Sequence, residues 1–370
     1  MLRVFVRRRH KLFEARDIVD KLVGAAGLSV TLAAALLAAV VLLLISSDDP
    51  GDALSQFFLG PFANAYGFGN MLSSAVPLML IGLGIALTFR ASAFNLGGEG
   101  QVYAAGVLTA WLCLRLPGLG GLSGVLIAVT ASAAFGAATA GLSGLLKVKW
   151  EVNELISSYL LSAALVLVCD YVVSGPLRDP GSSLQATAFV DARFRLPGLM
   201  APSQLNVGLF PALVCLAAGA FYLFRTRSGY ELRMCGYNPN FARYGGIHTG
   251  FYVVMPMAAS GGLNGVAGAL AALGTHHRAI QGFTAGLGWN GIAVALIARE
   301  HPAAVLPAAL FYAYLEAGAK AAMIHSSVSL ELVNVVQALI FYLITAQALL
   351  AFLERRGFLS RRARPKGEKP

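Results

Sequence analysis

The sequence of 370 residues is 57% hydrophobic and only 12% charged, with 41 glycines and a mean hydropathy of +0.69. Soluble globular chains carry about 25% charged residues, so this composition excludes an ordinary soluble protein and indicates a polytopic helical membrane protein. The net charge of +10 does not indicate a nucleic-acid partner, because the basic residues lie at loop ends and at the termini. No metal site is expected, because the cysteines form no CxxC pair and are interpreted as unpaired packing residues: Cys113, Cys169, Cys215 and Cys235.

Ten apolar runs follow one another along the chain, and each is predicted to be a membrane span or part of one. The predicted spans lie at residues 24–45, 71–89, 102–114, 119–146, 152–173, 207–224, 251–273, 289–298, 303–323 and 332–353. The third and eighth runs are shorter than the roughly 20 residues that a helix needs to cross the hydrocarbon core, which predicts broken or half-inserted helices. A Gly-Gly-Leu-Asn-Gly sequence at 261–265 predicts a break in the seventh run.

The basic residues set the predicted orientation, because most of the 28 lysines and arginines fall in segments that this ten-span topology places in the cytoplasm. Both termini are therefore predicted to be cytoplasmic, and the long polar segment 174–206 is predicted to lie outside. The domains expected are a basic N-terminus at 1–23, a transmembrane domain at 24–353 and a basic tail at 354–370. A cleaved signal peptide is disfavoured, because the first run exceeds the usual apolar region of about 7–15 residues.

Residues 225–249 form a polar loop between two apolar runs. The loop carries four arginines against one acid, Glu231, which marks a cytoplasmic loop. Ser228 is expected to cap a first short helix, and Gly236 together with the Asn-Pro pair at 238–239 is expected to break it. A second short helix is predicted at 240–244, ended by two glycines. A short amphipathic element between two spans suits docking to a cytoplasmic partner.

The two halves of the chain share a pattern of a full-length helix, a glycine-rich polar stretch and a short helix. The first glycine-rich stretch lies at 95–101 and the second at 286–291. In the predicted topology the first unit starts outside and the second starts inside, which is an inverted repeat and is typical of transporters with a site near the midplane. Chance similarity between glycine-rich turns is the alternative. The expected fold is thus all-α, with about ten transmembrane helices, inverted repeats and broken helices.

Four stretches carry a family resemblance in order and spacing: 94–101 (FNLGGEGQ), 153–159 (NELISSY), 229–247 and 288–296 (GWNGIAVAL). Together they resemble permease subunits of ATP-binding cassette (ABC) importers of the branched-chain amino acid and simple-sugar superfamily. The resemblance covers roughly residues 69–351 and is closest to the branch for nucleosides and sugars. The chain departs from the pattern at Cys235 and His248, where more typical small or polar residues are expected; neither position is among the expected coupling contacts.

The resemblance implies a multi-pass protein of the cell inner membrane, surrounded by lipid and working with several partners. These are a second homologous permease subunit, cytoplasmic ATP-binding subunits and an extracytoplasmic substrate-binding protein. The chain has no Walker A sequence, so ATP is bound by the partner and no catalytic residue or cofactor is expected here. The residues expected to couple the permease to the ATPase are Arg233, Gly236, Asn238, Pro239, Ala242, Arg243, Tyr244 and Gly246.

Nucleosides and simple sugars are neutral and rich in hydroxyl groups, which suits a path lined by amide and aromatic side chains. The residues expected to line the translocation path are Phe94, Asn95, Glu99, Gln101, Asn264, Trp289 and Asn290. Structural roles remain open for several of them. Glu99 could instead pair with Arg90 or bond to neighbouring backbone. Asn95 and Gln101 could bond to backbone groups that the glycines leave exposed. Trp289 could be an interfacial belt residue.

An ion-coupled secondary transporter of a small polar solute is the alternative function. It would share ten spans and broken helices, and it would need a buried carboxylate for coupling. The candidates are Glu99, Glu154, Asp170 and Glu316. This function is disfavoured because Glu99 and Glu154 lie near inner helix ends, where water reaches them. A membrane-embedded enzyme is disfavoured further, because intramembrane His-x-x-x-His and Gly-x-Ser-x-Gly sequences are absent.

Overall fold

The structure, a computed structural model, describes residues 49–116, 118 and 121–325, together with single positions within 33–44 and 335–342. The predicted first and last spans and both termini therefore lie outside the described residues, apart from those single positions. The described helices are α1 (Pro50–Leu59), α2 (Ala65–Arg90), α3 (Gly98–Arg115), α4 (Leu122–Trp150), α5 (Glu154–Ser174), α6 (Leu209–Arg225), α7 (Arg227–Tyr237), α8 (Pro239–Tyr244), α9 (Phe251–Leu270), α10 (Leu287–Ile297) and α11 (Pro302–His325). A π-helical turn, Ala271–His276, continues α9.

Four described helices are long and apolar enough to cross a membrane: α2, α4, α5, and α9 with its π-helical turn. The pair α6 and α7 reaches this standard together, although the two helices are bent by 73°. Helix α10 is apolar but has only 11 residues, which confirms the expectation of a short eighth segment. The described part of the chain contains no regular strand, and it is confirmed as an all-helical fold with four or five candidate spans.

Two expectations about the helices are wrong. The third predicted span is not a 13-residue stub, because α3 starts within the glycine-rich stretch at Gly98 and runs for 18 residues, about 27 Å at 1.5 Å per residue. Helix α9 also runs without a break through 261–265. The glycines there serve packing, since a Cβ on Gly261 would collide with the carbonyl oxygen of Gly136, and one on Gly265 with that of Ser132.

Residues 55–321 pack as one compact unit. Helix α2 lies at its centre and is buried on nearly all sides between 78 and 87. Helix α4 instead buries a narrow stripe of small residues against α9, spaced four apart along one face: Ala128, Ser132, Gly136, Ala140 and Gly144. Small side chains allow two helix backbones to approach closely, which compensates for the weak hydrophobic drive between helices in lipid. The four cysteines are free, and three of them are buried.

The polar segment after α5 folds back over the end of α9 rather than standing free. Its backbone bonds to the segment that follows the π-helical turn, from Thr187 N to Ala279 O at 2.9 Å and from Val190 N to His277 O at 2.9 Å. Isolated bridges join Ala186 to Ile280 and Gly198 to Asn206. The segment is therefore an ordered part of the unit, held by main-chain hydrogen bonds.

Candidate functional site

The starts of α3 and α10 meet in the interior of the unit, and we call this meeting point the helix junction. A Cβ placed on Gly98 would lie 3.2 Å from the Cα atom of Gly288, and one placed on Gly288 would collide with the backbone nitrogen of Glu99. Glycine is therefore needed at the first position of α3 and the second position of α10, because the two backbones touch at this point. Helix N-termini carry free N–H groups and a partial positive charge, so the junction brings two electropositive ends together.

The negatively charged carboxylate of Glu99 binds at one of these two helix ends, the start of α10. One oxygen, Oε1, accepts from the backbone N–H of Gly286 at 3.0 Å, and the other, Oε2, accepts from that of Gly288 at 2.9 Å. Glu99 stands in the first turn of α3 but caps the start of α10, which lies almost 190 residues further along the chain. The suggested pairing with Arg90 is not found, because the acid at ion-pair distance from Arg90 is Glu300.

A buried amide cluster lies beside the junction and joins the irregular segment 93–97 to α3 and α9. Asn95 Nδ2 donates to Gln101 Oε1 at 3.0 Å and to Ser260 Oγ at 3.1 Å, and Gln101 Nε2 donates back to Asn95 Oδ1 at 3.1 Å. Asn264 Nδ2 completes the cluster by donating to Gln101 Oε1 at 2.8 Å. These four side chains are at most 2% exposed, so in this conformation they bind one another and not an open path.

The amide cluster also forms a hydrogen bond with the glycine-rich backbone, which is the structural role considered for Asn95 in the sequence. Asn95 Oδ1 accepts from the backbone N–H of Gly97 at 2.9 Å. The remaining acceptor of the cluster, Asn264 Oδ1, is buried without a hydrogen-bond partner in the described part of the chain. A buried amide oxygen without a donor is costly, so it marks the point where the cluster would gain most from a new hydrogen bond.

Two serines on α5 hold the same glycine-rich segment from its other side, and sequence analysis missed their role. Ser158 Oγ accepts from the backbone N–H of Leu96 at 3.1 Å, and Ser162 Oγ accepts from that of Gly100 at 2.8 Å. The signal available was their spacing, because residues four apart lie on one face of a helix and Ser158 falls in a stretch already singled out. Both serines are buried.

The other residues expected along the path lie around the junction rather than within the amide cluster. Trp289 is 39% exposed, with its ring centroid 6.2 Å from that of Tyr159. Asn290, on the same turn of α10, accepts from the hydroxyl of Tyr312 at 2.8 Å. Phe94 is partly exposed and its ring packs on Phe89. The structure thus brings Asn95, Gln101 and Asn264 together. It places Glu99, Trp289 and Asn290 at the start of α3 or α10. Phe94 packs on Phe89 and is not part of the amide cluster.

The 225–249 loop has the expected sequence of helix, break and helix, with different details. Helix α7 begins at Arg227 because Thr226 Oγ1 accepts from the backbone N–H of Gly229 at 3.0 Å, so the expected cap at Ser228 is wrong. Ser228 instead shares hydrogen bonds with the hydroxyls of Tyr222 and Tyr252. Helix α7 ends at Tyr237.

Asn238 and Pro239 make the break of the loop, as local rules expect. Asn238 Oδ1 caps α8 by accepting from the backbone N–H of Phe241 at 3.0 Å, and Pro239 occupies a first-turn position whose N–H is not needed. Gly245 follows α8, and Gly246 has a φ of 79°, a left-handed conformation that favours glycine. The loop is therefore a rigid corner.

Gly236 has a different role from the one expected, because it lies inside α7 and not at the turn. A Cβ on Gly236 would collide with the carbonyl oxygen of Arg90, and Ser92 Oγ donates to the carbonyl of Gly236 at 2.8 Å. Glycine is required because α7 touches the end of α2 backbone to backbone. Any side chain at this position would push the two helices apart.

Several residues of the 225–249 loop project away from the protein. Tyr244 is 93% exposed, Tyr237 77% and Phe241 62%, and Arg243 stands among them. Two other expected coupling residues do not project: Ala242 is buried, and Arg233 lies over the ring of Phe224. Exposed aromatic side chains next to an arginine are typical of the central contacts of a protein interface.

The only acid of the loop is already engaged. Glu231 accepts from the hydroxyl of Tyr252 at 2.8 Å and pairs with Arg227 at 2.9 Å. The hydrogen bond from Tyr252 and the one from Arg227 hold the pKa of the Glu231 carboxyl below its usual range. Glu231 is thus ionised at neutral pH and bound within the chain, which leaves the exposed face of the loop basic.

Comparison with known proteins gives the class of this chain. The model of the family described as branched-chain amino acid transport system / permease component matches residues 67–345. The chain belongs to this family. It is an integral membrane permease subunit of the ABC importers, a transport component without its own ATPase site. Permeases of this family work with ATPase and substrate-binding partners.

Individual relatives cover most of the chain. The probable riboflavin import permease of Treponema pallidum is 34% identical over 81% of this chain and 80% of its own length. A glucose ABC transporter permease of Haloferax volcanii is 31% identical over 86% of both chains. The guanosine ABC transporter permease of Bacillus subtilis is 29% identical over 81% of this chain and 86% of its own. No solved structure gives a significant match.

Proposed function

We propose that this chain forms the translocation path for a nucleoside, a simple sugar or a similarly hydroxylated ring compound in an ABC importer. The family match over 67–345 carries this proposal. The named substrates of the three relatives are riboflavin, glucose and guanosine, and all three are neutral and carry several hydroxyl groups. Amide groups such as those beside the helix junction both donate and accept hydrogen bonds, which suits hydroxyls and heterocycle edges.

The path residues of this proposal are those of the junction and its surroundings: Phe94, Asn95, Glu99, Gln101, Asn264, Trp289 and Asn290. The amide cluster is closed in the described conformation, so substrate passage requires that its internal hydrogen bonds are exchanged for bonds to substrate. Asn264 Oδ1 supports this step, because within the cluster it is a buried acceptor without a donor among the described residues. An exchange of equivalent hydrogen bonds costs little, and a smooth passage needs binding that is not tight.

The proposed topology has ten spans with both termini in the cytoplasm, a basic N-terminus at 1–23, a transmembrane domain at 24–353 and a basic tail at 354–370. Excess lysine and arginine in the inner segments supports it. Labelling with an impermeant thiol reagent tests it, using a single cysteine at position 183 in a cysteine-free background. Labelling of intact cells is expected. Labelling that requires permeabilisation contradicts the orientation.

The proposed coupling element is the 225–249 loop, seated in a groove of the cytoplasmic ATPase. The exposed aromatic side chains beside Arg243 support this assignment. Asn238, Pro239 and Gly246 would keep the corner rigid, and Gly236 would keep α7 in contact with the end of α2. A rigid corner transmits a displacement of the loop to the spans. The proposed assembly further contains a second homologous permease subunit and bound membrane lipid.

Reconstitution tests the function directly. The permease, co-expressed with its ATPase and second permease subunit, is placed in liposomes with the substrate-binding protein, and uptake of labelled guanosine, riboflavin and glucose is measured with and without ATP. Uptake of at least one compound that requires ATP is expected. Uptake by this chain alone, driven by an ion gradient and indifferent to ATP, would establish the secondary transporter instead.

A further inference from the structure

The turn that joins α10 to α11 has an unusual backbone, and the side chain of Arg90 contacts it. Arg299 and Glu300 are consecutive non-glycine residues with φ values of 51° and 58°, a left-handed conformation that such residues seldom adopt. Arg90 Nε donates to the carbonyl of Glu300 at 3.0 Å, and Arg90 Nη2 lies 3.4 Å from that of Arg299. The Glu300 carboxylate is 3.9 Å from Arg90 Nε. Arg90 therefore fixes both strained residues.

The same Arg90 also carries the backbone contact with α7. Its carbonyl oxygen is the atom that excludes any side chain at Gly236, and Ser92, two residues later, donates to the carbonyl of Gly236 at 2.8 Å. One residue thus touches α7 with its main chain and the turn with its side chain. If α7 moves and these contacts hold, the turn must move with it.

A second set of contacts joins α7 to the same turn by another route. The guanidinium of Arg233 lies over the ring of Phe224, 5.5 Å from its centroid. Phe224 in turn stacks on His301, with ring centroids 4.7 Å apart and planes inclined by 25°. Both routes start on α7 and end within residues 299–301. Packed groups of this kind transmit small shifts because they do not deform gradually.

The far end of α10 is the helix junction. Helix α10 has 11 residues, so it spans about 16 Å, and most of its length is buried. Its start is held by the Glu99 carboxylate through Gly286 and Gly288. The helix therefore has one end fastened to α7 through Arg90 and the other fastened to α3 through Glu99. A short buried helix with both ends fixed acts as a rigid rod.

We infer that α10 carries motion of the 225–249 loop to the helix junction, and that Arg90 is the positioning residue that fastens the rod to the loop. The inference rests on the proposed docking of that loop to the ATPase. It assigns Arg90 a role in neither substrate contact nor ATPase docking. Loss of Arg90 would leave α7 joined to the turn only through Phe224 and His301, so that more ATP is hydrolysed for each movement of the junction.

Uptake per ATP hydrolysed tests the inference in the reconstituted transporter. Arg90→Ala is expected to lower this ratio by about tenfold or more, within the usual range of coupling between distant sites. Arg90→Lys keeps a cation near Glu300 and is expected to recover part of the ratio. Arg193→Ala is the matched control, because Arg193 is exposed and pairs with Asp191 on a segment away from the rod.

The outcomes separate this inference from the proposed function. If the wild-type complex shows no ATP-driven uptake, the proposed function fails. If the wild type transports and Arg90→Ala keeps the wild-type ratio of uptake to hydrolysis, only the role of Arg90 is overturned. An unchanged ratio in Arg193→Ala is required for the comparison to count.

A distance measurement on otherwise native protein covers the case in which Arg90→Ala does not assemble. Spin labels are placed at the exposed positions Tyr230, on α7, and Ala303, at the start of α11. A second pair joins Tyr230 to Lys149 on α4. Between nucleotide-free and nucleotide-trapped complexes, the 230–303 distance is expected to stay constant while the 230–149 distance shifts. A shift of the 230–303 distance, or no shift of the 230–149 distance, overturns the rod.

Discussion

The helix junction and the 225–249 loop use their polar and aromatic side chains in opposite ways. At the junction, Asn95, Gln101 and Asn264 are buried and bonded to one another, and Glu99 is occupied by two backbone N–H groups. In the loop, Tyr244 is almost fully exposed and bonds to no side chain in the described residues. The polar groups of the first region bond within the chain, apart from Asn264 Oδ1, whereas the exposed aromatic side chains of the second face outward.

This difference separates two meanings of a functional side chain. Buried polar groups at the junction hold irregular backbone in place, so a change there costs folding free energy before it affects transport. Exposed aromatic side chains in the loop contribute nothing to folding, so a change there affects only binding of a partner. Thermal stability of the purified protein in detergent, measured beside uptake, therefore distinguishes the two regions, and the expected losses of stability fall in a definite order.

The largest loss is expected for Gly261→Val, one turn from Asn264. The added side chain collides with the carbonyl oxygen of Gly136 and forces α9 away from α4, which costs about 3 kcal/mol, the upper end for overpacking. Gly262→Ala is the matched control, because a Cβ there meets its nearest atom at 3.6 Å, an ordinary contact. The midpoint of thermal unfolding should fall sharply in the first variant only. Equal midpoints would show that α9 and α4 are not packed this closely.

A smaller loss is expected for Asn95→Leu. The variant removes the acceptor for the Gly97 N–H and for Gln101 Nε2, and it removes the donor to Ser260. Leaving such buried groups without this partner costs about 1–3 kcal/mol. Asn290→Leu is the comparison, since Asn290 is only half-buried and its side chain accepts a hydrogen bond from Tyr312. Uptake should fall in both variants, but the thermal midpoint should fall mainly for Asn95. Wild-type uptake in both would place the path elsewhere.

A loss comparable to that of Asn95→Leu is expected for Glu99→Gln, because glutamine keeps only one acceptor oxygen at the start of α10. Hydrogen bonds to charged groups are worth about 1.5–3 kcal/mol, and the variant loses one of the two together with the charge. Asp191→Asn is the control, an exposed carboxylate whose pKa the neighbouring Arg193 holds below its usual range. A lower midpoint is expected for Glu99 alone. If neither variant changes the midpoint, the Glu99 carboxylate does not cap α10.

The features that depend only on neighbouring residues were predicted from the sequence. The Asn-Pro pair at 238–239 carries its own geometry, because asparagine caps a helix and proline fixes φ, and the break of the loop lies there. The short α10 follows from the length of its apolar run. Neither required knowledge of any distant residue.

Long-range contacts decided the rest. Gly236, Gly261 and Gly265 were expected at breaks, yet each lies inside a helix at a point where another backbone passes close to it. The partners of Glu99 lie almost 190 residues away, and Ser162 bonds a glycine 62 residues earlier. A sequence pattern shows that glycine is present but not whether it serves a turn or a contact, and that distinction needs the packing.

The smallest change in stability and a large change in function are expected for Tyr244→Ala in the loop. The side chain is 93% exposed, so its removal should alter the folding free energy by no more than about 0.5 kcal/mol. An aromatic residue at the centre of an interface contributes about 2 kcal/mol to binding, or roughly thirtyfold in affinity. Tyr171→Ala, which removes another exposed tyrosine on α5, is the matched control. Co-purification of the ATPase and stimulated ATP hydrolysis should fall for Tyr244 and persist for Tyr171. If Tyr244→Ala retains the ATPase and transports at the wild-type rate, the exposed face of the loop is not the docking surface, and the contrast with the junction loses its functional meaning.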